Sequence, residues 1–122
     1  MDVAEICPLT EETILNLLKS RGAFAHMHTG SGRRQAERWP FPGTIELWIP
    51  DELGFHRHAL GTCLDMSLDG AGVRCDDSLP VGLELDIAIH QPEASFHGRA
   101  LVRHCTSTAR GDHMVGLEFL LD

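Results

Sequence analysis

The chain has 122 residues, a formal net charge of −8 and 43% hydrophobic content, enough for one domain with a real core and a short appendage. Eighteen acidic residues against ten basic ones exclude sequence-independent binding to DNA or to anionic lipid, because the long-range field repels both. No apolar run approaches a membrane span, and the start MDVAEICPLT is acidic where a signal peptide is basic, so the chain reads as cytoplasmic and not membrane-inserted.

The first predicted element is a helix over residues 9–21, LTEETILNLLKSR. Thr10 suits the N-cap, Glu11 and Glu12 the positive end, and Lys19 and Arg21 the negative end; Leu9 can staple onto Ile14, and Gly22 stops the helix. Ile14, Leu15, Leu17 and Leu18 form a broad apolar stripe. It must cover either the end of a β domain or a second copy of the protein, which makes a homo-oligomer through this helix an expectation.

Next comes GSGRRQAERWPFPG, residues 30–43, which gathers Arg33, Arg34 and Arg38. Gly30 and Gly32 precede the arginines and Pro40 and Pro42 follow, so at most one helical turn can form and the segment reads as a loop. Each guanidinium presents a planar fork that matches a phosphate or the O6/N7 edge of guanine, and it stacks on flat π surfaces. Taken alone, R-x-x-x-R is unspecific. Trp39, directly after the second arginine of that pattern, reads as a hinge or packing residue.

From Gly43 onward the period is two. In TIELWIP, Ile45, Leu47 and Ile49 face one way; in GLELDIAIH, Leu83, Leu85, Ile87 and Ile89 oppose Glu84, Asp86, Ala88 and His90. FHGRALVRHC and HMVGLEFLL follow, parted by TSTARGD, and turn signals recur at Pro50-Asp51, Asp69-Gly70, residues 79–82 and Gln91-Pro92. Strands at this spacing, with no helix long enough to cross between them, mean an antiparallel barrel or sandwich. The domain reading is an N-terminal helical extension at 1–29, an arginine linker loop at 30–43 and a β-barrel at 44–122.

Cys7, Cys63, Cys75 and Cys105 show no C-x-x-C spacing and read as reduced, although Cys63 and Cys75 could face each other across strands. The H-x-H pairs His26/His28 and His56/His58 lack a nearby third ligand and read as surface histidines, so no metal site and no cofactor are expected.

LDMSLDGAGV carries Asp65-x-Ser67-x-x-Gly70 at the end of a strand that begins near His56. A carboxylate there can accept from the paired N1–H and N2–H₂ donors of guanine, a pair adenine lacks. Ser67, two along, should share its face and can bond a phosphate oxygen or tie down the turn. Gly70 permits positive φ and close approach of a ligand to the backbone.

The ordered pair, R-x-x-x-R before the strands and D-x-S-x-x-G on an early strand turn, resembles the PilZ domain, the bacterial receptor module for cyclic di-GMP. The resemblance covers roughly residues 33–120, including Gly82, Gly98-Arg99-Ala100-Leu101-Val102 and Gly116-Leu117-Glu118-Phe119. It implies a mainly β fold, an antiparallel six-stranded barrel with a short N-terminal helix. It further implies that Arg34 and Arg38 grip phosphates and stack on guanine, that Asp65 and Ser67 read the base, and that Gly70 shapes the turn. An arginine at the place of Arg33 goes with an intercalated pair of ligands, hence two cyclic di-GMP per chain. A downstream protein partner from motility, exopolysaccharide or secretion machinery is implied, and no nucleic acid polymer.

The chain departs from the family by stopping at Leu121-Asp122 where a C-terminal helix is common, so either the N-terminal helix takes its place or the chain is part of a longer one. No nucleophile–base pair is evident, and the expected function is a non-enzymatic signal receptor whose N-terminal loop reorders on binding. The alternatives are a non-binding adaptor of the same fold, a split-barrel flavin-binding enzyme, and an oligonucleotide-binding barrel. The net charge and the count of only seven aromatics disfavour the last.

Overall fold

The computed structural model describes residues 5–20, 39–92 and 94–121. In chain order these form β1 (Glu5–Pro8), α1 (Glu11–Ser20), β2 (Trp39–Pro50), β3 (His56–Met66), β4 (Gly70–Cys75), β5 (Glu84–His90), β6 (Ala94–Ser107) and β7 (His113–Leu120). The strand order is β1-β6-β5-β2-β3-β4-β7, and a further β6–β7 pairing closes the six strands β2 to β7 into an antiparallel barrel. Closure removes the edges that an open sheet of this size would expose.

Alternation builds the core as the two-residue period requires. Ile45, Leu47 and Ile49 of β2 and Leu85, Ile87 and Ile89 of β5 are buried, together with Val73, Val102, Val115 and Leu117 from the other walls. Ala88 breaks the period: it lies in register between Glu46 and His97 on the outer face yet is fully buried.

The helix is described over Glu11–Ser20, and Arg21 and Gly22 of its expected C-terminal end lie outside the described residues. Thr10 is its cap: the Thr13 amide donates to Thr10 Oγ1 at 3.1 Å, and the Thr10 amide donates back to Thr13 Oγ1 at 2.8 Å. Ile14, Leu17 and Leu18 join the same core cluster as the strand residues, so these positions of the apolar stripe are covered by the chain's own barrel. Leu9 anchors the helix entry. Its amide donates to the His97 carbonyl at 2.6 Å, and its side chain lies where a Cβ on Gly98 would sit, 2.7 Å from Leu9 Cβ.

Two boundaries need correction. The N-terminal extension is not only helical, because β1 pairs in parallel with β6, Glu5 opposite Ala94 through Pro8 opposite His97. β7 pairs with β6 from Arg99 onward, so β1 continues the line of β7 along that stretch of β6. The barrel also begins before residue 44, since β2 starts at Trp39 inside the expected loop. Pro40 and Pro42 lack the N–H that a regular ladder needs, and the register shifts between Pro40 and Gly43 while Phe41 is fully buried.

None of the four cysteines is in a disulfide. Cys63 is opposite Val73 and Cys75 opposite Gly61, so the two are out of register across β3 and β4 rather than facing each other. Burial pushes the Cys75 thiol above its ordinary value. Among the described residues, no helix is long and apolar enough to cross a membrane.

Candidate functional site

The D-x-S-x-x-G sequence forms the β3–β4 hairpin. The Ser67 amide donates to the Gly70 carbonyl at 2.8 Å, closing a four-residue turn. Ser67 itself is 1% exposed, so it does not share the outer face with Asp65 as simple alternation suggests. Its hydroxyl donates to Asp69 Oδ1 at 2.7 Å and accepts from the Gly70 amide at 3.2 Å. Of the two roles open to this serine, the geometry has it tying down the turn.

Gly70 is also explained differently from the sequence expectation. The glycines with positive φ among the described residues are Gly54, Gly82 and Gly111, and Gly70 is not one of them. The constraint there is packing: a Cβ on Gly70 would run into the Leu117 carbonyl oxygen of β7. Close approach of two strands, not a left-handed backbone, excludes a side chain.

Asp65 is half-buried on the outer wall, and its Oδ1 accepts from the Gly72 amide at 3.1 Å. This bond orients the carboxylate, which has lone-pair capacity for further donors. Gly72 is a site residue that the sequence reading missed; a Cβ there would stand 2.8 Å from Asp65 Oδ1 and crowd the carboxylate. The sequence signal was present, since glycines alternate in GAG at the start of a strand.

On the other side, Asp65 is paired with Pro40 of β2, and Met66 with Trp39. The chain therefore enters the barrel directly beside the Asp65 carboxylate. Arg33, Arg34 and Arg38, and the His26/His28 pair, lie outside the described residues, as does the side chain of Trp39.

The barrel wall carries a depression of about 550 Å³, bordered by Trp48, Asp86, His97 and Arg99 of β2, β5 and β6. Trp48 lies with its ring centroid 6.4 Å from that of His97 and 5.4 Å from that of His58. Arg99 already faces Glu84 at 2.7 Å and Asp86 at 3.7 Å, so this groove offers an anion no surplus positive charge.

Above it, Glu46 accepts from His58 Nε2 at 2.7 Å and from His90 Nε2 at 2.6 Å, and these bonds, that to His90 foremost, hold the Glu46 carboxyl below its ordinary value. His58 of the H-x-H pair thus has a carboxylate partner. Among the described residues no group of three or more His, Cys, Asp or Glu side chains could hold a metal ion.

A closed six-stranded barrel with its motif hairpin on the outer wall, and the start of β2 beside it, defines a β-barrel domain whose candidate site is external rather than in the lumen. The sequence profile of the PilZ domain matches residues 32–122, and the chain belongs to that family. No curated protein matches the chain in sequence.

Among solved structures, the chain is similar to the PilZ domain, with c-di-GMP, of YcgR from Escherichia coli: TM-score 0.56, 16% identity, 72% of this chain and 78% of that one covered. It is also similar to YcgR in complex with c-di-GMP from Escherichia coli (TM-score 0.58, 18% identity, 72% and 38% covered). A third is the Bacillus subtilis inhibitor of motility MotI/DgrA (TM-score 0.55, 23% identity, 71% and 42% covered). The chain spans about two fifths of the length of these last two.

Proposed function

We propose that this chain is a receptor domain for cyclic di-GMP that binds on the outer wall of the barrel and signals by ordering its N-terminal segment. The observation that carries the reading is the register of Pro40 against Asp65. Arg38 is two residues upstream of Pro40, which is about 7 Å of extended chain, and Arg34 is four residues further. The covalent chain thus keeps the R-x-x-x-R guanidiniums within reach of the Asp65 carboxylate.

The division of labour follows from chemistry. Asp65, oriented by the Gly72 amide, accepts from N1–H and N2–H₂ of guanine, while Arg34 and Arg38 neutralise the phosphates and stack on the bases. Ser67 and Gly70 hold the turn that presents Asp65. Arg33 supplies the additional cation that two stacked ligands, with four phosphate charges close together, require. The chain's net charge of −8 repels longer polyanions and leaves a compact dianion as the ligand that the arginines serve. No step of this reading needs a catalytic group. The ordered segment is what a protein partner in motility, exopolysaccharide or secretion machinery reads. Membership of the PilZ family and the likeness to domains solved with c-di-GMP support the ligand class.

Isothermal calorimetry tests the proposal. Wild type should bind cyclic di-GMP, and Arg34→Ala or Arg38→Ala should each lose at least tenfold in affinity, since each removes a charge-assisted contact of roughly 1.5–3 kcal/mol. The melting temperatures of the ligand-free variants should match wild type. A wild-type protein that binds no cyclic di-GMP would leave the adaptor reading in its place.

A further inference from the structure

A single row of paired residues crosses four strands beyond the entry point. Asp65 of β3 is opposite Gly72 of β4, Gly72 opposite Gly116 of β7, and Gly116 opposite His104 of β6. Directly paired residues share a face, so Asp65 and His104 stand on the same outer wall with two glycines between them. Neighbouring strands are separated by about 4.8 Å, which sets Asp65 and His104 about 14 Å apart along this row. Glycine inside a strand weakens it, and two side by side in paired strands forgo a cross-strand side-chain contact. Their effect is room for their neighbours: the Asp65 carboxylate lies over Gly72 and the His104 ring over Gly116.

The far end of that row is shaped by His104. The Val102/His104 register shift makes Arg103 the extra residue of a bulge, which re-aims the chain at this point. The His104 ring lies down on Gly116: a Cβ there would overlap its Nε2, Cε1 and Cδ2 atoms. His104 is nevertheless exposed, so one side of the imidazole is seated on the strand while the residue keeps an open surface. With Gly70, Gly116 and Asp69 it lines a depression of about 310 Å³, whose rim is the Arg103–Glu118 pair at 3.2 Å.

We propose that His104 is a ligand-stacking residue: its imidazole, seated on Gly116 on the same wall as Asp65, is a platform against which a purine ring of the bound dinucleotide lies. The proposal rests on the receptor reading above and names one more residue of that same site. A flat nucleobase is the chemistry this platform fits. The imidazole keeps an open surface, and a histidine ring is a recognised stacking surface for bases. Gly72 and Gly116 are then required to seat the Asp65 carboxylate and the His104 ring, whereas Gly70 is required for packing.

The test is calorimetric titration of cyclic di-GMP into wild type, His104→Ala, His104→Phe and Arg38→Ala. Stacking predicts that His104→Ala weakens binding about tenfold, the lower part of the range for one base–aromatic contact, and that His104→Phe binds as wild type does. If wild type binds and Arg38→Ala is impaired while His104→Ala binds as wild type does, the proposal is overturned and the receptor reading stands. Equal losses in the Ala and Phe variants also overturn it, because a flat ring alone would not then suffice. A wild type that binds nothing takes the receptor reading down, and the proposal with it. His104 can be probed without substitution as well: its ring-proton resonances in the wild-type protein should move on saturation with cyclic di-GMP, and unmoved resonances refute the contact.

Discussion

Replacing Gly70 by alanine tests the packing of the motif turn independently of any ligand. The new Cβ would overlap the Leu117 carbonyl oxygen, so the start of β4 must move away from β7. That movement strains the bond from the Phe119 amide to the Asp69 carbonyl at 2.8 Å and the turn bond from the Ser67 amide to the Gly70 carbonyl at 2.8 Å. Two hydrogen bonds at about 1 kcal/mol each, with an overpacking cost of about 1–3 kcal/mol, give a destabilisation of about 3–5 kcal/mol. For a domain of this size, each kcal/mol moves the melting temperature by about 3–6 °C, so Gly70→Ala should melt at least 10 °C or so below wild type.

Gly82→Ala is the control. Gly82 has φ of 93° with open space around its Cβ position, so the substitution brings only left-handed strain of about 1–2 kcal/mol. The assay is thermal unfolding followed by circular dichroism without ligand. A Gly70→Ala protein no less stable than Gly82→Ala would refute the close β4–β7 approach as the reason for this glycine.

Asp65→Ala should weaken cyclic di-GMP binding and erode the preference for guanine over adenine; equal affinity of wild type for cyclic di-AMP and cyclic di-GMP would remove Asp65 from base reading. Arg33→Ala should lower the calorimetric stoichiometry from two to one, and a value near one for both proteins would sink the two-ligand arrangement. Glu46→Gln probes the His58–Glu46–His90 cluster. Because the Glu46 carboxyl is held below its ordinary 4.5, its contribution to stability is present above that pH and lost as pH falls through the depressed value. The variant should therefore melt below wild type at neutral pH and converge with it in acid; a constant difference from neutral to acid pH would contradict the ion-pair origin.

Much of the barrel was legible because its cause is local. The inward Ile45, Leu47, Ile49 and the Leu85, Ile87, Ile89 set declare their face by alternation alone, and Thr10 declares the start of α1 by its capping chemistry. What escaped depends on partners distant in the chain. The strand Glu5–Pro8 is four residues long, ends in proline and pairs with residues 94–97, so nothing in its own sequence announces it. Pro40 and Pro42 disguise the first turn of β2, which a bulge accommodates.

At the site, Asp65 was readable as a carboxylate on a strand end. The burial of Ser67 was not, since the turn takes its hydroxyl inward just where alternation would have turned it out. Gly70 was identified as necessary for the wrong reason, because the clash comes from β7, some 47 residues away (117 − 70). The pairing of Gly72 with Gly116 could emerge only from register.

The central claim, that ligand binds on the Asp65 wall, is tested most directly by following the backbone amides of isotope-labelled protein during titration with cyclic di-GMP. The Gly72 amide donates to Asp65 Oδ1, so its resonance reports on any donor that engages that carboxylate. The account predicts large, saturable shifts for Gly72 and for its cross-strand neighbour Gly116, with little change at Trp48 and His97 across the barrel. Shifts confined to the Trp48–His97 groove, or an unmoved Gly72, would contradict it.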